Sequence, residues 1–282
     1  MSINPIILNA HKSAIYNVKY SKDGEHLMSC SQDKTIKLWN PAKKMLIQSY
    51  DNIHSHDVID IAIGQDNAKF ASVGVDKQVF YTDSITRNVV RRFHGHSERI
   101  NTIAFNQLES VLVSGSYDCS IRIWDLKATS KEAIQILSNA KDSITKVIVL
   151  SDKIISSSID GNIRVYDIRK GELQCDNYDT PINSFDVSPD EKYFIVSGLD
   201  NRIRLFDYNN GEIIKTFQGL HVSKNYSMNV RYTMEIDGLI TTSENNDIIY
   251  YDLLNDQKNE IYKGHSKISC GLDIHPSKKG ID

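Results

Sequence analysis

The feature that most constrains this chain is a phrase that recurs along it. Ser29–Trp39, Ser114–Trp124 and Ser156–Tyr166 align without gaps as small-x-small-x-Asp, then alternating apolar residues, then an aromatic. Degenerate copies run over Gly74–Thr82, Gly198–Phe206 and Ser243–Tyr251. The turn residues fall at 33, 76, 118, 160, 200 and 245, so one unit spans 40 to 45 residues. A histidine stands 22 residues before three of these turns, at His11, His54 and His96, and an apolar strand begins four residues later at Ile15, Val58 and Ile100. Each unit therefore supplies an outer strand, a histidine loop, an inner strand, a second strand, a tight Asp turn and a third strand. Strands this short cannot bury their faces singly, so the units must stack on one another and share a core.

A period of this length with strand alternation and a closing aromatic resembles the WD repeat, which folds as one four-stranded blade per unit. The fold class expected is all-β, a WD-repeat β-propeller of the seven-bladed type with an incomplete last blade, in a single domain over 1–282. The basis is Gly264-His265-Ser266-Lys267-Ile268, which copies the loop Gly95–Ile100 with one residue missing and leads into Cys270–Ile274 as an inner strand begun at about 264. The N-terminal strand 5–10 reads like the outer strands Val89–Phe93 and Ile213–Phe217 and is assigned to that last blade. An open edge would follow, which propellers normally avoid. The alternative is a complete six-bladed ring, which requires the N-terminal strand to pair inside blade six.

Composition excludes several classes. There are 33 Lys+Arg against 36 Asp+Glu, a net charge of −3, so bulk charge does not point to nucleic acid. The longest apolar runs, Pro5–Leu8 and Val147–Leu150, fall far short of the roughly 18 residues that span a bilayer. The opening residues lack a basic segment followed by an apolar core, and Cys30, Cys119, Cys175 and Cys270 form no CxxC pair. The expectation is a cytoplasmic and nuclear protein with reduced thiols and no membrane contact.

Ser, His and Asp together invite a nucleophilic triad, but no strand-turn-helix Gly-x-Ser-x-Gly context is present. The residues recur once per unit, as structure would. The reading is a hydrogen-bonded chain from Trp through Ser and His to the turn Asp, in which each buried polar group satisfies the next. In blade one it comprises His11, Ser31, Asp33 and Trp39, and in blade three His96, Ser116, Asp118 and Trp124. Blade two retains His54 and Asp76, while blades four and five retain Asp160 and Asp200. Blades two and four to six are expected to hold their loops less tightly. The pairs His54/His56 and His94/His96 lack a third and fourth ligand, and no phosphate-binding glycine loop occurs. No catalytic residue, metal site or cofactor is predicted.

Asp33–Pro41, Arg91–His96 with Ile100–Asn106, Ser158–Gly171 and the atypical loop His221–Tyr226 are similar to the mitogen-activated protein kinase organizer family of single-propeller WD-repeat proteins. The resemblance spans essentially the whole chain. It implies a non-enzymatic scaffold that assembles MAP kinase cascade members and takes part in pre-mRNA splicing as a spliceosome component. Partners would be other proteins, either splicing factors or kinase-cascade members, with this chain a monomer inside larger complexes and without direct nucleic-acid contact. An RNA-contacting subunit and a propeller enzyme are the alternatives. The candidate partner rim, read from residues just before the inner strand and just before the turn, is Arg99, Tyr117, Asp57, Gln32 and Glu244. Arg99 and Tyr117 lead it, because Tyr and Arg are enriched in interface hot spots.

Overall fold

The computed structural model describes residues 7–8, 11–208, 210–225, 227–233, 238–255 and 258–276. Six antiparallel four-stranded sheets follow one another along the chain. Blade one is β1 (Ile15–Tyr20), β2 (Leu27–Ser31), β3 (Ile36–Asn40) and β4 (Met45–Tyr50). Blade two is β5 (Val58–Ile63), β6 (Lys69–Gly74), β7 (Gln78–Asp83) and β8 (Val89–His94). Blade three is β9 (Ile100–Phe105), β10 (Val111–Ser116), β11 (Ile121–Asp125) and β12 (Gln135–Leu137). Blade four is β13 (Ile144–Val149), β14 (Lys153–Ser158), β15 (Asn162–Asp167) and β16 (Glu172–Asn177). Blade five is β17 (Ile182–Val187), β18 (Tyr193–Gly198), β19 (Arg202–Asp207) and β20 (Ile213–Gln218). Blade six is β21 (Val230–Tyr232), β22 (Gly238–Thr242), β23 (Asp247–Asp252) and β24 (Glu260–Lys263).

Burial grades across each blade. The second strands are almost wholly buried, whereas β16 is mostly exposed. The inner strands of blades one to five each carry a register shift at their start, as between Ile15 and Asn17 or Val58 and Asp60. A bulge of this kind bends a strand and re-aims its side chains. The Asp turns use the residue after the aspartate in the left-handed region: Lys34, Lys77, Cys119, Gly161 and Asn201 all have φ between 60° and 80°. Asp33, Asp118 and Asp160 each accept the amide two residues on, the Asx turn that explains why aspartate recurs there.

Five apolar clusters fill consecutive seams between blades. Met28, Cys30 and Ile36 of blade one pack with Val58, Ile61 and Phe70 of blade two. Val73 and Phe93 meet Ile103 and Trp124, and Val113 and Ile121 meet Val147 and Ile154. Ile155 and Ile163 meet Phe185 and Phe206, and Ile195 and Phe217 meet Val230 and Tyr251.

The structure thus has six blades, correcting the seven-bladed expectation. Residues 264–276 carry no strand. The copied loop is present in the sequence, but a strand needs a ladder partner for its backbone groups, and among the described residues no second strand pairs with Cys270–Ile274. The segment instead lies irregularly between blade six and blade one. The Asn229 side-chain amide donates to the Cys270 carbonyl at 2.7 Å, and the Tyr20 amide donates to Asp273 at 2.7 Å. Gly271 lies so close to β1 that a Cβ there would sit 2.8 Å from the Asn17 Cα. The expected strand 5–10 falls largely outside the described residues, and Ile7 and Leu8 are not in a strand. No described helix is long and apolar enough to cross a membrane.

Candidate functional site: loop latches, rim and axial channel

In blade one, Trp39 Nε1 donates to Ser29 Oγ at 2.8 Å, Ser29 Oγ lies 2.7 Å from His11 Nε2, and His11 Nδ1 lies 3.0 Å from Asp33. Blade three repeats this with Trp124, Ser114, His96 and Asp118, at 2.9, 2.8 and 2.9 Å. A carboxylate beside Nδ1 holds the proton there and leaves Nε2 to accept from the serine. The relaying hydroxyls are therefore Ser29 and Ser114, in place of the expected Ser31 and Ser116. Those two bond to the Ala14 and Arg99 carbonyls and accept the Asp33 and Asp118 amides, bracing the turn itself. Blade two holds His54 2.7 Å from Asp76 and 2.8 Å from Ser72, with Phe80 packed edge-on against the imidazole. Its latch is as short as those of blades one and three.

Blades four and five do it differently. Arg164 grips Asp160 with both terminal nitrogens, at 3.2 and 2.7 Å, and Arg204 grips Asp200 likewise. The aspartate still receives its loop: the Lys141 amide donates to Asp160 at 2.8 Å, just as the Lys12 and Ser97 amides donate to Asp33 and Asp118. Blade six pairs His221 with the Tyr251 hydroxyl at 2.8 Å, and Glu244 accepts the Lys224 and Asn225 amides.

These environments set the charges. Burial pushes the imidazoles of His11 and His96 down, further than their hydrogen bonds to Asp33 and Asp118 raise them. Burial takes His221 down to about 4, against the raising effect of the Asp200 charge. Burial works to raise Asp33, but the Thr35 hydroxyl, the Lys12 amide and His11 outweigh it and hold the carboxyl well below the usual range. Asp118 and Asp160 are lowered in the same way, with burial opposed by His96 and Ser120 in one and by Arg164 and the Lys141 amide in the other. Burial thus holds the imidazoles of His11, His96 and His221 toward the neutral form, and in His11 and His96 both ring nitrogens are committed to neighbours. His56 and His94, the other members of the two histidine pairs, are exposed.

On the rim, Arg99 lies over the Tyr117 ring at 5.0 Å, and Tyr117 is 50% exposed. The two residues form one amphipathic patch. The remaining rim candidates stand apart. Asp57 accepts the Tyr16 hydroxyl at 3.2 Å and so ties blade one to blade two, Glu244 is spent on its own loop, and Gln32 is simply exposed.

Arg99 and Tyr16 also line the mouth of an axial channel of about 740 Å³, walled by the inner strands. This channel carries charges that the sequence reading did not single out: Lys19, Asp60, Lys146, Arg231 and Asp273. Arg231 joins Asp186 at 3.4 Å to Asp273 at 2.8 Å, bridging blade five, blade six and the segment that follows. The signal was present as charged residues inside otherwise apolar inner strands, as in Ile15–Tyr20 and Ile144–Val149.

The family of the WD domain, G-beta repeat, matches residues 5–40, 87–125 and 171–207. The WD repeat domain-containing protein 83 homolog of Dictyostelium discoideum is 33% identical over 307 residues, covering 99% of this chain and 93% of the relative. WD repeat domain-containing protein 83 of Homo sapiens is 33% identical over 271 residues, covering 96% of this chain and 85% of that protein. Among solved structures, that of U3-55K superimposes with a TM-score of 0.84 at 17% identity, over 96% of this chain and 88% of the other, a likeness of fold. With its six latched blades and full-length relatives, the chain belongs to the WD40 repeat family and is homologous to WD repeat domain-containing protein 83.

Proposed function

We propose that this protein is a non-catalytic scaffold that assembles protein complexes, chiefly in pre-mRNA splicing and also as an organizer of a MAP kinase cascade, acting as a monomer within larger assemblies of the nucleus and cytoplasm. The observation that carries this reading is the exposed Arg99–Tyr117 pair at the channel mouth, presented by latched loops whose own polar groups are already consumed. A rigid rim with an exposed aromatic and a guanidinium suits docking, since preorganised Tyr and Arg anchors carry much of the energy of protein interfaces. Chemistry would need several reactive groups converging on one pocket, whereas the latch residues recur blade by blade, each tied into its own loop. The resemblance to the organizer family supports the choice of partners.

The test is co-purification from cells with the tagged wild-type chain and with the double variant Arg99→Ala/Tyr117→Ala, with and without RNase. Splicing factors that persist after RNase and are lost in the folded variant are the expected result. Kinase-cascade members without splicing factors would make signalling the main role, and loss of all partners on RNase treatment would favour the RNA-contacting reading. Partners unchanged in the variant would remove Arg99 and Tyr117 from the docking surface.

A further inference from the structure

Three carboxylates on or beside the axial channel, Asp60, Asp186 and Asp273, are engaged by hydrogen bonds across the seams. Asp60 accepts the Asn17 side-chain amide and the backbone amides of Ile61 and Ile103. Asp186 accepts Tyr232 N–H and Arg231, and Asp273 accepts Tyr20 N–H and Arg231. Each carboxylate therefore stitches neighbouring inner strands together, and Arg231 is consumed between two of them. Two lysines facing the same channel are not so provided. Lys146 has one long contact, 3.4 Å to the Ser184 hydroxyl, and Lys19 has no hydrogen-bond partner among the described residues. Each ammonium carries three donors, and in the channel it is left to solvent or a bound acceptor to meet them.

We propose that Lys19 and Lys146, reaching into the channel from blades one and four, form a binding site for a small tetrahedral oxyanion of the phosphate or sulfate class. Lysine binds such anions as a point charge from a distance, without the planar fork that would select a carboxylate. An oxyanion between the two ammonium groups supplies several acceptors at once and offsets the repulsion that each lysine feels from Arg231. The channel has ample room for it.

The charge states give the site a pH signature. Burial takes Lys146 down to about 7, with Arg231 and Lys19 lowering it and Asp186 and Asp60 raising it. Burial also lowers Lys19, with Arg231 lowering it and Asp273, Asp60 and Asp186 raising it. An entering anion must therefore bring a proton onto Lys146 above pH 7, and affinity falls by up to about tenfold per pH unit there.

Sulfate is the primary probe, because its charge is constant between pH 6 and 9. Calorimetric titration of the full chain should show saturable binding at pH 6, weakening toward pH 8.5, with an observed heat above pH 7 that varies linearly with the buffer's ionisation enthalpy, the slope giving the protons taken up. Phenyl phosphate displaces sulfate if the site takes a phosphoryl group carried on a larger molecule, and fails to displace it if the site takes only the free ion. Lys19→Met and Lys146→Met should each reduce affinity at least tenfold without lowering the melting temperature of the anion-free protein. Binding no better than chloride at matched ionic strength would overturn the site. So would affinity unchanged in the double variant Lys19→Met/Lys146→Met, or binding without proton uptake above pH 7.

Discussion

Blades three and four solve one problem with different chemistry. Both hold the amide of the incoming loop on the turn aspartate, Ser97 on Asp118 and Lys141 on Asp160, at 3.0 and 2.8 Å. Behind the aspartate, blade three places a neutral imidazole backed by serine and tryptophan, and blade four places the guanidinium of Arg164. The difference teaches that in these two blades the aspartate is the constant element, and that the group behind it determines how the latch responds to mutation and acid.

The largest separation between the two should come from removing the aspartate. Asp160→Ala leaves Arg164, 3% exposed, as an unpaired buried charge, and should cost about 3–5 kcal/mol. Asp118→Ala leaves a neutral histidine and should cost about 2 kcal/mol. Chemical denaturation of the two variants side by side measures the gap, and equal losses would show that Arg164 finds water on its own.

Acid should separate them next. A buried imidazole whose folded pKa lies below the unfolded value of about 6.5 stabilises the fold fully above that pH, and the contribution is lost as pH falls toward the folded value. Each unit of lowering is worth about 1.4 kcal/mol, so His221, near 4, accounts for as much as about 3 kcal/mol between pH 6.5 and 4. His221→Gln should flatten the stability profile in that window. His11 and His96 act in the same direction, whereas the Asp160–Arg164 latch loses stability only as pH falls below about 4, where the carboxyl of the unfolded chain takes up a proton and the folded one, held lower, does not. Amide exchange should therefore rise at Lys12 and Ser97 by pH 5, relative to intrinsic rates, while Lys141 stays protected. Parallel loss at all three sites would show that the blades open as one unit.

The smallest effect concerns the turns. Lys34 holds φ at 70°, a conformation that costs a non-glycine residue about 1 kcal/mol, so Lys34→Gly should raise stability by a comparable amount. Blade four already has glycine there, at φ 80°, and its Cβ would come within 3.1 Å of the Thr180 carbonyl. Gly161→Lys should therefore destabilise. Thermal melts of both variants would show the opposite signs, and the same sign in both would mean that contacts rather than backbone conformation govern the turn.

The repeat period, the turn aspartates and the spacing to His11, His54 and His96 were legible because they are local and recur. The relay serine was not, since Ser29 and Ser31 stand two apart on one strand and spacing cannot choose between them. Nor was the arginine latch. Asp160 and Arg164 are four apart, but so are Asp118 and Arg122, and Arg122 lies instead against Gly95. The number of blades was misread because Gly264–Ile268 copies a loop, whereas a blade is defined by the ladders that follow. The channel lysines escaped notice because each is a lone charge in its own strand, and only closure brings them together.

The seam between blade six and blade one is the joint where the ring begins and ends. Among the described residues, no apolar cluster spans it, and it is carried by Asn229, Arg231 and Asp273 with the Tyr20–His275 ring contact. Oil-filled joints ignore salt; ionic ones weaken with it. Among the described residues, then, this joint is ionic where the other five are oil-filled, so added salt should loosen it while leaving the other five unchanged.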